Sequence, residues 1–204
     1  MKHYFVTGIC TDVGKTLASA ILVEALEADY WKPLQAGELN NTDSMKVRSL
    51  ISNSKTVIHP EAFLLSEPLS PHAAAEIDEV QIKLEDIVLP QTANTLIIEG
   101  AGGLMVPINN NDLIIDLIKK LNIEVILVSE FYLGSINHTL LSAYALQSNN
   151  IKVAGIVFNG IPVPTSENFI LKHTGLKHLL SINEEELIDK NTILKYKTAL
   201  KFNL

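Results

Sequence analysis

The chain has 204 residues, of which 47% are hydrophobic and 19% are charged, and its formal net charge is −7. This length predicts one domain over residues 1–204. The acidic balance and the single arginine, Arg48, argue against nucleic acid as a partner, because phosphate-backbone binding needs clustered Lys and Arg. No apolar segment reaches membrane-spanning length, and the first residues predict a strand, not a signal peptide. Cys10 is the only cysteine, which fits a reducing compartment, so we expect a cytoplasmic protein with no membrane partner.

Residues 8–16 form the first pattern that carries chemistry. They follow a short apolar run that predicts a strand over residues 4–7, and they precede an Ala- and Leu-rich helical pattern. Strand, glycine-bearing loop, Gly-Lys-Thr and helix is the order found in a phosphate-binding loop. In such a loop Gly14 lets backbone N–H groups face phosphate oxygens, Lys15 places its charge at the β- and γ-phosphates, and the Thr16 hydroxyl suits Mg²⁺.

The spacing of this loop departs from the common pattern. Gly8 and Gly14 enclose five residues, where the common pattern has four. A Gly-Lys-Thr triplet also arises by chance at the start of an ordinary capped helix. The preceding strand and the position of the triplet favour a phosphate-binding loop of variant form.

Strand and helix patterns alternate along the chain. Short runs rich in Ile, Leu and Val predict strands covered on both faces, at residues 4–7, 94–98, 125–129 and 153–158. Helical patterns lie at residues 16–28, 43–51, 113–121 and 135–147, and a shorter amphipathic stretch predicts a surface helix at residues 82–88. This alternation predicts an α/β fold with a doubly wound, mostly parallel sheet and helices on both faces, like that of P-loop NTPases. Ligands of such sheets bind at the carboxyl ends of the strands.

Lys32 and Asp43 follow the second strand pattern, which must stop near Pro33. An isolated lysine on a loop is usually solvated, but a lysine at a strand end beside a phosphate-binding loop equally suits a functional cation. The helix that opens next has Thr42 or Asp43 as its N-cap. The Asp43 carboxylate also suits Mg²⁺, and the sequence alone does not choose between these roles.

Glu99 ends an apolar run and is followed by three glycines within four positions. A buried strand that ends in an acid suits the metal-binding carboxylate of a Walker B segment, and the glycines let backbone approach a ligand closely. An acid–glycine turn after a strand is also common. The phosphate-binding loop elsewhere in the chain favours the metal-site interpretation.

Two further helix and strand ends carry polar groups. Ser135 is predicted to cap the helix over residues 135–147, and the free N–H groups of the first turn suit a carboxylate or another anion. Asn159 closes the last predicted strand. Its amide either faces a nucleobase edge or belongs to a turn with Gly160.

Together these features resemble the dethiobiotin synthetase family, whose members close the ureido ring late in biotin synthesis with ATP. Several sites in one order are more specific than any single motif, and the variant loop spacing is that family's own form. The resemblance extends to about residue 160. It is carried by residues 7–16, Lys32-Pro33, Asp43, and residues 67–72, 99–103 and 133–138.

The resemblance implies a homodimeric, Mg²⁺-dependent ligase that converts 7,8-diaminononanoate, CO₂ (or bicarbonate) and ATP to dethiobiotin, ADP and phosphate. One substrate amine takes up CO₂ as a carbamate, the carbamate is phosphorylated by ATP to a carbamic-phosphoric anhydride, and the second amine closes the ring. The substrate then supplies both nucleophiles, and the protein supplies positioning and charge.

The resemblance also implies roles for individual residues. Catalytic roles fall to Thr11, Lys15 and Lys32. Nucleotide contacts fall to Asp12, Val13, Gly14, Lys15, Thr16, Leu17, Glu99, Gly102 and Asn159. Substrate contacts fall to Lys32 and to Gly134, Ser135, Ile136 and Asn137, with the last four coming from the partner subunit. Mg²⁺ would be held by Thr16, Asp43 and Glu99.

The chain departs from the family pattern at three positions. Cys10 stands where an acid is common, Ala36 where a hydroxyl residue is usual, and Tyr132 where a basic residue is frequent. Two other functions fit the same loop. One is a regulatory or partitioning P-loop ATPase, although such proteins often carry an additional lysine early in the loop, and none stands at Ile9 or Cys10. The other is a related ligase that acts on a different amine or acid.

Overall fold

The structure is a computed structural model that describes residues 2–201. The strands are β1 (His3–Gly8), β2 (Asp29–Trp31), β3 (Leu34–Ala36), β4 (Ile58–His59), β5 (Phe63–Leu65), β6 (Leu96–Gly103), β7 (Glu124–Glu130), β8 (Val153–Asn159) and β9 (His178–Ile182). The helices are α1 (Lys15–Leu26), α2 (Asp43–Leu50), α3 (Pro71–Ile77), α4 (Ile114–Leu121), α5 (Ser135–Ser148), α6 (Pro164–Thr174) and α7 (Lys190–Ala199), with a 3₁₀ turn at Leu84–Asp86.

Seven of these strands form one parallel sheet in the order β4-β2-β6-β1-β7-β8-β9, and β3 pairs with β5 in a small parallel sheet. Helices α1, α2 and α7 contribute to the core on one face of the large sheet, and α3, α4, α5 and α6 contribute to the cores on the other face. The predicted doubly wound parallel fold is confirmed.

The central strand β1 shows why the sequence of a strand in this sheet is a continuous apolar run. Tyr4 and Val6 belong to the core under α1, whereas Phe5 belongs to the core on the opposite face. All three side chains are at most 2% exposed. Because helices cover both faces, neither face of the strand requires polar residues.

Three details differ from the sequence predictions. The predicted surface helix at residues 82–88 is wrong, because only a 3₁₀ turn forms there, and buried Ile82 and Ile87 hold an irregular segment against the core. Strand β6 does not end at Glu99, which pairs in register with Val6, but continues through the glycines. Helix α5 is capped by Gly134, with φ of 104°, so Ser135 is its first helical residue and not its cap.

The sequence analysis missed the carboxyl-terminal elements α6, β9 and α7. Strand β9 completes one edge of the large sheet, and α7 packs its Ile193 and Tyr196 against the core that contains α1.

Buried Glu24 of α1 accepts hydrogen bonds from the backbone N–H groups of Ser52 (2.7 Å) and Asn53 (3.0 Å), which ties α1 to the segment after α2. Within residues 2–201, no helix has the length and apolar character to cross a bilayer.

Candidate active site

The loops that follow β1, β2, β6, β7 and β8 lie at one edge of the large sheet, because these strands are parallel neighbours. The register places the end of β1 beside the ends of two strands, since Gly8 pairs with Gly103 of β6 and with Val128 of β7. Most of the residues singled out in the sequence therefore lie along this edge.

The β1–α1 loop turns at Gly14, which has a left-handed backbone conformation with φ of 87° and caps α1. A Cβ atom at this position would lie 2.4 Å from Nδ2 of Asn159, so a side chain is excluded by both conformation and space. Asn159 Nδ2 also donates a hydrogen bond to the Val13 carbonyl at 3.3 Å. The end of β8 thus contacts the loop directly.

Lys15 is nearly buried, and its Nζ atom donates to the Cys10 carbonyl at 3.1 Å. Burial lowers the pKa of Lys15 below its ordinary value, and Lys32 lowers it further, against opposing contributions from Glu99 and Asp43. The ammonium therefore lies over its own loop, with the carboxylates nearby.

The exposed part of the loop contains Thr11 and Asp12. Thr11 Oγ1 lies 3.4 Å from the point that a Cβ atom of Gly102 would occupy, so Thr11 faces the glycines of β6. Asp12 has a positive φ of 58°. Leu17, in the first turn of α1, is half-buried and packs against the core.

Glu99 is the centre of a buried hydrogen-bond network and is itself 0% exposed. Its Oε1 atom accepts hydrogen bonds from Thr16 Oγ1 at 2.8 Å and from Lys32 Nζ at 3.0 Å. Its Oε2 atom accepts a hydrogen bond from the Tyr30 hydroxyl at 2.9 Å. Lys32 also forms an ion pair with Asp43. Because Lys32 is only 5% exposed, the solvated-lysine interpretation is wrong.

The charges in this network stabilise one another. Burial alone would lower the pKa of Lys32, but Glu99 and Asp43 outweigh it and raise that pKa above its ordinary value. Burial likewise opposes ionisation of Asp43, yet Lys32 and Lys46 hold its pKa below the ordinary value. Burial and the neighbouring Glu99 raise the pKa of Tyr30 well above its ordinary value, so its hydroxyl keeps its proton and donates.

The start of α2 shows which of Thr42 and Asp43 caps the helix. Thr42 is the N-cap, and its hydroxyl accepts a hydrogen bond from Met45 N at 3.2 Å. The Asp43 backbone N–H donates to Gln35 Oε1 at 3.1 Å. The Asp43 carboxylate is not used for capping and is directed to Lys32.

The start of α5 contains the other predicted substrate contacts, Gly134 to Asn137. Gly134 and Asn137 are exposed, whereas Ser135 is buried and Ile136 packs against the core on the α6 side. Among residues 2–201, no hydrogen bond or ion pair found in the structure joins these four residues to Lys32, Asp43 or Glu99. The structure thus joins Thr16, Lys32, Asp43 and Glu99 by direct contacts, whereas no such contact within the described part of the chain links the start of α5 to Lys32, Asp43 or Glu99.

The sequence analysis missed two residues that contact this site. Tyr30 lies two positions before Lys32, and strand alternation could have placed both side chains on one face. Gln35 supports Asp43 N and also donates through Nε2 to the Gly37 carbonyl at 2.9 Å. No local pattern marks Gln35, because its partners follow it around an irregular turn.

Comparisons with known proteins agree with this geometry. A family model described as an AAA domain matches residues 2–192. The septum site-determining protein MinD from Pyrococcus horikoshii, solved with Mg-ADP, is 13% identical with a TM-score of 0.61, over 97% of this chain and 89% of that one. A ParA family ATPase from Chlorobium tepidum is 12% identical with a TM-score of 0.58, over 98% and 92%. The fold is therefore that of the P-loop nucleotide-binding α/β proteins.

Curated relatives are much closer in sequence. The ATP-dependent dethiobiotin synthetase of Cytophaga hutchinsonii is 56% identical over 201 residues, which are 98% of this chain and 97% of the relative. That of Christiangramia forsetii is 53% identical over 96% of this chain and 94% of the relative. The chain belongs to the dethiobiotin synthetase family, the ATP-dependent ligases of biotin biosynthesis. This confirms the resemblance found in the sequence.

Proposed function

We propose that the chain makes dethiobiotin, ADP and phosphate from 7,8-diaminononanoate, CO₂ and ATP. The observation that carries this proposal is the position of Lys32. A buried ammonium shares the Oε1 atom of Glu99 with the Thr16 hydroxyl, one residue from Lys15 in the phosphate-binding loop. A fixed cation beside a nucleotide site suits an anionic co-substrate such as a carbamate.

The proposed chemistry uses nucleophiles from the substrate. One amine attacks CO₂ and loses a proton, which gives a carbamate. A carbamate oxygen attacks the γ-phosphorus of ATP and expels ADP, and the second amine then attacks the carbonyl carbon and expels phosphate. Lys15 and Lys32 would stabilise charge on the transferring oxygens, and Thr11, which lies beside Gly102, would orient the carbamate or phosphate.

Thr16, Asp43 and Glu99 would hold Mg²⁺ in this proposal. Two carboxylates and a hydroxyl are hard oxygen donors, and both carboxylates already contact one cation, the Lys32 ammonium. Within the described residues, no three His, Cys, Asp or Glu side chains group into a metal site by themselves. The phosphates of the nucleotide and water would therefore complete the coordination, as is usual for Mg²⁺, which would neutralise phosphate charge.

The nucleotide would lie along the loop from Asp12 to Leu17 and beside Gly102. Backbone N–H groups at the start of α1 would face the phosphates. Asn159 would face the base while its Nδ2 atom holds the Val13 carbonyl, because an amide has a second N–H and a free carbonyl oxygen. We also propose a cytoplasmic setting, in keeping with the lone cysteine, Cys10.

Product formation tests the reaction. We expect phosphate release that requires both 7,8-diaminononanoate and bicarbonate, with one dethiobiotin formed for each phosphate, because ring closure expels the phosphate. The measurement is phosphate release and dethiobiotin by mass spectrometry, with each substrate omitted in turn. ATP turnover that ignores both co-substrates would instead favour a regulatory ATPase.

We further propose a homodimer in which the α5 start, Gly134 to Asn137, receives the distant substrate carboxylate of the other subunit. Exposed N–H groups at a helix start favour an anion. Asn137→Asp adds a like charge there, and we expect it to raise KM for the diamine about 10-fold with little effect on ATP. The matched control is Gln147→Glu, the same amide-to-acid change at an exposed position near the other end of α5.

Mixed subunits test the shared site directly. At a low diamine concentration, the Lys32→Met and Asn137→Asp proteins should each work poorly alone, yet a mixed dimer contains one site with both native residues. We expect the mixture to recover part of the activity, and light scattering to give twice the chain mass. A fully active monomer, or no recovery from a verified mixed dimer, would contradict the shared site.

A further inference from the structure

Tyr30 is a buried polar residue that the proposed chemistry does not use. It lies in the middle of β2, pairs in register with Ile97 of β6, and is 0% exposed. Its ring belongs to the core under α1, together with Ile97 and Val6. A tyrosine that only fills a core does not require its hydroxyl, and a buried hydroxyl costs free energy unless it is hydrogen-bonded.

The partner of this hydroxyl is the carboxylate at the centre of the site. Tyr30 donates to Oε2 of Glu99 at 2.9 Å, whereas Thr16 and Lys32 both donate to Oε1 at 2.8 and 3.0 Å. The two carboxylate oxygens thus have different roles. One is fixed from the core side, and the other faces the phosphate-binding loop.

This division sets the orientation of Glu99. A half-turn of the carboxylate about its terminal bond only exchanges two equivalent oxygens, but any smaller rotation would move one oxygen away from Tyr30 and the other away from Thr16. A hydrogen bond to an ionised acceptor is among the stronger hydrogen bonds, so the Tyr30 hydroxyl opposes this rotation. Partners of metal-ligating carboxylates commonly influence metal binding in this way.

We propose that Tyr30 is a positioning residue that holds Glu99 with its Oε1 atom directed at the Mg²⁺ of the nucleotide complex. This inference rests on the proposed role of Glu99 as a metal ligand. Tyr30 touches neither the nucleotide nor the substrate in this assignment, and its effect passes entirely through Glu99.

The test is Tyr30→Phe, which removes one oxygen atom and keeps the ring that fills the core. We expect the Mg²⁺ concentration at half-maximal activity to rise about 10-fold, in the range for loss of a ligand's hydrogen-bond partner. Calorimetric titration of ATP at several Mg²⁺ concentrations should show the same shift without turnover. ATP binding in EDTA should be unchanged, because Tyr30 does not face the phosphates.

The matched control is Tyr196→Phe. Tyr196 is also buried, and its hydroxyl donates to a carboxylate, that of Glu185, and accepts from Asn183 N at 2.9 Å. This variant should lose stability as Tyr30→Phe does, yet keep the native Mg²⁺ midpoint. An unshifted midpoint in Tyr30→Phe would overturn the proposal and leave Tyr30 as a structural residue.

A double-mutant cycle separates this inference from the one on which it rests. If Tyr30 acts through Glu99, then adding Tyr30→Phe to Glu99→Gln should produce no further shift in the Mg²⁺ dependence of ATP binding. An equal shift in both backgrounds would overturn the positioning role. If Glu99→Gln itself leaves the Mg²⁺ dependence unchanged, the metal assignment of Glu99 fails.

Discussion

Lys32→Met is expected to reduce dethiobiotin formation by on the order of 10²–10³-fold while ATP affinity stays nearly native. Removal of one preorganised group that stabilises transition-state charge has an effect of this size. Lys32 forms ion pairs with Glu99 and Asp43 and is not part of the phosphate-binding loop. Its loss should therefore affect the carbamate more than the nucleotide. The measurements are ATP binding by calorimetry and dethiobiotin formation as a function of bicarbonate.

We also expect Lys32→Met to lower the free energy of unfolding. Without its ammonium, the buried Glu99 carboxylate loses its ion pair with Lys32, and breaking a buried ion pair costs about 3–5 kcal/mol. Lys46→Met is the matched control, because Lys46 also pairs with Asp43, at 3.4 Å, but is partly exposed. Its loss should change activity only a few-fold. A Lys32→Met enzyme that makes product at the native rate would contradict the carbamate assignment.

Glu99→Gln is the second substitution with a large expected effect. The amide keeps the shape of the side chain but removes the charge that faces Thr16 and Lys32. We expect phosphoryl transfer to fall by on the order of 10²–10³-fold, and the Mg²⁺ requirement to change, because a carboxylate ligand and its electrostatic contribution are lost. The companion Asp43→Asn should change the Mg²⁺ requirement in the same direction. Mg²⁺ titration of the reaction rate measures both.

Glu24→Gln controls for loss of a buried carboxylate as such. Glu24 is 2% exposed and accepts hydrogen bonds from the backbone of Ser52 and Asn53, on the side of the fold where α1 meets α7. Its replacement should lower the free energy of unfolding by about 1–3 kcal/mol without changing the Mg²⁺ requirement. If Glu99→Gln and Asp43→Asn kept both the native rate and the native metal dependence, neither residue would belong to the metal site.

The sequence predicted features that depend on local physics. The phosphate-binding loop at residues 8–16 depends on a glycine conformation, a helix start and a lysine, all within one short segment. The strands that became β1, β6, β7 and β8 were predicted because burial on both faces leaves a continuous apolar run. Their alternation with helices was sufficient to predict the parallel doubly wound sheet.

Local signals also existed for elements that the sequence analysis missed. Helix α6 begins with Pro164 and has Gly175 as its C-cap, and α7 has Asp189 as its N-cap, whose side chain accepts a hydrogen bond from Thr192 N. Each of these helices buries only a few of its side chains, so neither shows a long apolar stripe. The weak apolar pattern therefore obscured the capping signals.

Only the tertiary structure decided how the site is assembled. Lys32 and Glu99 are separated by 67 positions, Tyr30 and Glu99 by 69, and Thr16 and Glu99 by 83. Their contacts exist because β6 lies between β1 and β2 in the sheet. That strand order cannot be predicted from the spacing of apolar residues within any one segment. The sequence placed Glu99 at the end of a strand, whereas pairing of Gly103 with Gly8 of β1 extends β6 past it. The same strand order buries Lys32 beside Glu99 and places the Tyr30 hydroxyl on Glu99.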